Sequence, residues 1–187
     1  LHSFPTRRSS DLHNLMQGLV IVGASKPSNP IKSSQLTLRG MKSDLLKYLK
    51  DNLHREFKPV DKDEAKHITT LEAEVSYRLS SINKEKPITE AQSPIERYAQ
   101  LVQDGELGGD ELEMHLFAKA KNVNVVLYEQ VIEDIFEWRH EFEATSKDSA
   151  ETIHLIRHKS RDDNSRVYYT LFMPKLYSIM KALQAVK

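Results

Sequence analysis

The chain contains no cysteine. That excludes a disulfide framework, thiolate metal sites and any thiol nucleophile drawn from these 187 residues. It does not distinguish a reducing from an oxidising compartment. Charge of one sign is also missing: 27 Lys and Arg balance 27 Asp and Glu. No overall field therefore steers the chain toward nucleic acid or anionic lipid. Basic residues are scattered, without the aromatic interleaving that single-stranded nucleic acid requires. No apolar run approaches the roughly 18 residues of a membrane helix, and no internal repeat or low-complexity stretch occurs. What remains is ordinary for a soluble globular chain, with 39% hydrophobic and 29% charged residues.

The first twelve residues stand apart. His2-Ser3-Phe4-Pro5-Thr6-Arg7-Arg8-Ser9-Ser10-Asp11-Leu12 matches one reading frame of a common short-read sequencing adapter. Residues 1–12 are accordingly read as an artefact and set aside. Residues 13–187 are then expected to form one domain, long enough for a real core. The natural N-terminus is expected to be lost, which leaves localisation open.

Met16 to Ala24 is a short apolar run that periodicity does not assign. Lys26 to Ser34, with two prolines, reads as a loop. Leu38, Met41, Leu45, Tyr48 and Leu49 trace a helical stripe ending near Asn52. The spacing predicts a second helix from Asp61 to Asn83, with acidic residues in its first turn. Ser93-Pro94-Ile95-Glu96 has the form of a capping box with proline at the first helical position, and that helix should stop by Gly105. Asp110 is placed to cap a helix from Glu111 to Lys121. The period then changes: Val123 to Tyr128, Phe136 to Phe142, Thr152 to Ile156 and Arg166 to Met173 read as strands. Leu176 to Val186 reads as a closing helix. Helices first and strands later predict an α+β fold, one small mixed sheet packed between helices.

Several features carry only ordinary chemistry. Gly18 to Lys26 lacks the Gly-Lys-Ser/Thr of a phosphate loop. Glu111 and His115 are four apart on a helix, but no second histidine completes a zinc pattern, so a helix-face ion pair is expected. His154 and His158 flank a strand end; His158 reads as a loop-edge residue, with a relocated base as the sharper alternative. Glu111 and Glu113 are read as solvated or capping charges. Phe136, Trp138 and Phe142 are expected on the buried side of one strand, an exposed aromatic surface being the minor alternative. No metal or cofactor is expected.

Glu106-Leu107-Gly108-Gly109-Asp110-Glu111-Leu112-Glu113, then Leu116, Ala118 and Asn122-Val123-Asn124-Val125-Val126-Leu127-Tyr128, resembles the centre of the OTU family of papain-like cysteine peptidases, which cleave ubiquitin from its conjugates. Ile153 to Ile156 and Val167 to Pro174 resemble the family's last two strands, and Leu38 to Asn52 the helix after the catalytic one. The resemblance covers roughly residues 16 to 175, and it implies a papain-like OTU fold with ubiquitin or a ubiquitin-like protein as partner. It also places Gly108, Gly109 and Asp110 at the cleft that takes the ubiquitin tail, with Leu107 where the family has tryptophan. Gln17-Gly18-Leu19 fits the tail of the catalytic helix in one variety of the family. Counting back as in that variety puts the catalytic cysteine near Ser10, inside the artefact.

Aligning Tyr168-Tyr169-Thr170 with the family's His-Tyr-Asp/Asn puts Tyr168 at the general base and Thr170 at the orienting residue. Tyrosine, with an ordinary pKa of about 10, is a poor substitute for an imidazole that must pair with a thiol and protonate an amine. Threonine supplies neither carboxylate nor amide to fix a tautomer. The chain as given is expected to be inactive. Three readings follow for the natural protein: a ubiquitin-binding pseudoenzyme, an active cysteine deubiquitinase with its base elsewhere, or an interaction domain without ubiquitin contact.

Overall fold

The computed structural model describes residues 12, 14–19, 37–58, 69–82, 92–107, 110–132, 135–146, 151–159 and 167–173. Residues 14–19 are helical (α1). The order then runs α2 (Leu38–Asp51), β1 (Glu56–Phe57), β2 (Thr69–Thr70), α3 (Leu71–Ile82), α4 (Pro94–Asp104), α5 (Glu111–Lys121), β3 (Val123–Ile132), β4 (Ile135–Phe142), β5 (Glu151–Lys159) and β6 (Val167–Phe172). The expected α+β class is what the chain adopts. Gly108, Gly109, Ser10, the loop from Lys26 to Ser34 and the closing helix from Leu176 to Val186 lie outside the described residues.

Local chemistry sets most helix ends. The Ser93 hydroxyl accepts from the Glu96 amide while the Glu96 carboxylate accepts from the Ser93 amide, and Gly105 closes α4 with a left-handed φ of 80°. Asp110 and Glu113 form the same reciprocal box on α5, which ends at Asn122 with φ 51°. Thr37 caps α2 by accepting from the Gly40 amide at 3.0 Å. The third helix departs from its periodicity: it begins at Leu71 rather than Asp61. Thr69 and Thr70 instead pair with Phe57 and Glu56, and the Thr70 hydroxyl accepts from the Ala73 amide at 3.2 Å. The β-branched pair closes a short strand and caps the helix that follows; residues 61–68 and 83 of the expected helix lie outside the described residues.

The main sheet is mixed, in the order β4-β3-β5-β6. β3 runs antiparallel to β4 and parallel to β5, and β5 runs antiparallel to β6. The residues just after β4 are pinned to the end of α5 and the start of β3: the Asn124 side chain accepts from the Ala144 amide and the Asn122 side chain from the Ser146 amide, both at 2.8 Å. The core lies between the sheet and the helices. Leu45 and Leu49 of α2, Leu112 and Phe117 of α5, Val125 and Leu127 of β3, and Ile153 and Leu155 of β5 join one buried cluster. Leu12 and Leu15 belong to it too, each fully shielded.

One strand overturns its expected alternation. Leu127 pairs with His140 but Tyr128 pairs with Trp138, so Arg139 is an extra residue on β4. Such a bulge reverses which side the following residues take. Phe142 is inside at 2% exposure, and His140 shares its side, their rings 4.6 Å apart. Trp138 is on the other face at 63% exposure. Phe136, Trp138 and Phe142 therefore do not form one buried side.

Candidate functional site

α1 lies on the helix-covered face against β5 and β6. The Asn14 side-chain amide donates to the Tyr169 carbonyl at 2.8 Å. A Cβ on Gly18 would stand 2.6 Å from Ile153 Cγ2 and 3.1 Å from Leu171 Cδ1. That close approach, rather than backbone freedom, is what the glycine permits. Since Asn14 meets Tyr169 and Gly18 meets Leu171, α1 runs in the same direction as β6. Its N-terminal end lies toward the start of that strand.

Alternation along β6 then sorts the candidate residues. Tyr169 faces the core at 4% exposure, and Leu171 packs against the same cluster. Tyr168 and Thr170 face the opposite side, both exposed. There they meet His158, which is a residue of β5 and not of a loop edge. Its Nε2 shares a 2.7 Å hydrogen bond with the Thr170 hydroxyl. Its ring stacks on Tyr168 at 4.8 Å between centroids and 12° between planes. Burial pulls the His158 pKa below the usual histidine value, so the ring is neutral at pH 7 and one nitrogen can accept a proton. On the same face, the Tyr128 hydroxyl lies 3.2 Å from His154 Nδ1, and Phe172 contacts the rings of Tyr128 and Phe136.

Asp110 belongs to a different assembly, at the start of α5. Arg78 of α3 bonds Glu74 at 2.7 Å and Asp110 at 3.0 Å, and approaches Glu113 at 3.8 Å. Glu113 is 2% exposed. It accepts from the Asp110 amide at 3.0 Å and from the hydroxyl of Tyr98. Burial would disfavour the charge on Arg78, but Glu113 and Asp110 outweigh it and raise its pKa. Burial, reinforced by Glu113, likewise holds the Tyr98 hydroxyl protonated. Glu113 is thus a capping charge, as expected, but not a solvated one. With every member bonded, the network fixes α3, α4 and the start of α5, immediately after Gly108 and Gly109.

The sequence singled out Tyr168, Thr170 and His158 separately; the structure brings these three together and leaves Asp110 with Arg78. Arg157 drew no attention; it lies one residue past the strand expected from Thr152 to Ile156, and only the longer β5 (Glu151–Lys159) places it next to His158 on a strand. His115 does not act in a simple helix-face ion pair: it sits edge-on to the rings of Phe57 at 5.4 Å and Phe142 at 6.4 Å. Among the described residues no three His, Cys, Asp or Glu gather as a metal site, and no helix is long and apolar enough to cross a membrane. No family model matches the chain, and no curated protein matches it.

Proposed function

We propose that the chain is an OTU-like domain that binds ubiquitin or a ubiquitin-like protein through its C-terminal tail without cleaving it. The observation that carries this reading is the pair Tyr168 and Thr170. They stand side by side on a well-paired strand, where the resemblance expects an imidazole and its orienting group. A tyrosine and a threonine stand there in place of the imidazole and the carboxylate or amide that the family's chemistry uses. Titrating unlabelled chain into isotopically labelled ubiquitin should shift the resonances of the ubiquitin C-terminal tail. Unmoved spectra at millimolar chain would end this reading.

A second reading is favoured by His158, which touches both degenerate positions. Here the natural protein is a cysteine deubiquitinase whose base comes from β5 and is oriented by Thr170. The intact 5′ end of the coding sequence separates the two. A cysteine near position 10 in an Asp-Gly-x-Cys setting supports the enzyme, and any other residue there leaves the binding module.

A further inference from the structure

We propose that the end of β4 is an acid-released latch: protonation of His140 and His115, whose rings meet on Phe142, frees residues 142–146 from α5 while the rest of the sheet stays folded. The two imidazoles come from different elements and converge on one side chain. The His140 ring of β4 lies 4.6 Å from that of Phe142, and the His115 ring of α5 lies 6.4 Å from it, both edge-on. Phe142 itself is buried. Beyond it the chain is fastened by hydrogen bonds. The Ala144 amide donates to the Asn124 side chain and the Ser146 amide to the Asn122 side chain. The Ala144 carbonyl accepts from Lys119 Nζ at 3.3 Å, and the Thr145 hydroxyl donates to the Lys119 carbonyl at 3.0 Å. Lys119 is one turn past His115, so fastening and imidazole share a face of α5. Among the described strands β4 has β3 as its one neighbour, and its end can lift without breaking the ladders beyond.

The surrounding charges set what protonation does here. Burial, then Lys119 and His140, lower the pKa of His115; burial, then Arg139, lowers that of His140. Both rings are therefore neutral at pH 7. His140 acts on His115 directly, so a second proton meets the charge of the first. The carboxylates around the pair do not reverse this. Glu111, one turn before His115 on α5, does not outweigh the cations. Asp44 of α2 pairs with Lys121, and Glu129 of β3 pairs with Arg139. Glu56 of β1 and Glu141 and Glu143 around Phe142 are exposed. Once residues 142–146 lift, both rings reach water and their charged forms are no longer opposed. The lifted state thus binds more protons than the closed one, and its share grows as the pH falls below about 6.5.

Hydrogen exchange on the whole chain, read by NMR between about pH 7 and about pH 5, tests the latch at the Ala144 and Ser146 amides. After correction for the intrinsic pH dependence of exchange, their protection should fall about tenfold per pH unit for one proton taken up on opening, and more steeply where both imidazoles take one. Low urea should leave their exchange unchanged, because a local opening exposes little surface. The amides of the β3–β5 ladder should exchange more slowly and depend strongly on urea. His140→Gln and His115→Gln should each lessen the pH slope, and together they should flatten it. Protection of Ala144 and Ser146 that is flat in pH overturns the latch, since opening would then take up no proton. Protection that shares the urea dependence of the ladder also overturns it, since the opening would be global unfolding. An undiminished slope in either single variant does the same, by placing the proton elsewhere.

Discussion

On the helix-covered face of the sheet, Val125, Leu127, Ile153, Leu155 and Tyr169 keep at most 4% of their surface, whereas on the opposite face Trp138 and Tyr168 keep 63% and 40%. The same strands supply both sets by alternation, and the chemistry separates accordingly. One side carries the buried apolar cluster shared with α1, α2 and α5. The other carries hydroxyls, imidazoles and aromatic rings in contact with one another: His158 with Thr170 and Tyr168, and Tyr128 with His154. The inner face accounts for the fold. Val126 and Ile156 of the outer face are buried too, at 6% and 7%, but Tyr168 and Thr170 are exposed and fall where substitution costs the scaffold little.

The sharpest way to break that comparison is to truncate a side chain on each face. Leu155→Ala should destabilise by about 2–5 kcal/mol, a buried leucine leaving a cavity, while Trp138→Ala should cost about 0.5 kcal/mol or less. Urea denaturation of the two variants measures both, and equal losses would erase the distinction between the faces. Acid should act from the inside. Burial, with smaller contributions from Lys119 and His140, pulls the His115 pKa down to about 4. The unfolded chain binds this proton near pH 6.5 and the folded one does not. The stability is therefore fully present above pH 6.5 and drains away as the pH falls toward 4, by about 3 kcal/mol in all. His115→Gln should flatten that limb of the stability profile; an unchanged slope would place His115 in a wetter setting than its ring contacts imply. A smaller loss than at Leu155 tests the docking of α1. Gly18→Ala should cost about 1–3 kcal/mol from overlap with Ile153, offset by up to about 1 kcal/mol of helix propensity. In an Ile153→Ala background the remaining loss should disappear.

The helix caps at Ser93 and Asp110 were legible because their chemistry is local, set by residues three apart. The strands from Val123 onward were legible in kind but not in length: β3 and β5 run to Ile132 and Lys159, beyond their most apolar residues, because ladder pairing continues where patterning fades. β1 and β2, two residues each, carry no periodic signal. The side taken by Trp138 was illegible for another reason. A bulge is a property of two strands in register, and nothing in Phe136 to Phe142 alone marks Arg139 as the extra residue. The candidate site divides in the same way. Tyr168 and Thr170 were found by resemblance along the chain, but their contact with His158 follows only from the antiparallel register of β5 and β6.

The bulge at Arg139 has a consequence for assembly. β4 closes one side of the sheet among the described strands, and a long regular border strand bearing an exposed tryptophan would invite another chain to add to it. An irregular ladder with Glu137 and Glu141 exposed beside Trp138 is a poor template for such addition. Deleting Arg139 would straighten the border, and concentration-dependent aggregation, rather than unfolding, would be its first symptom.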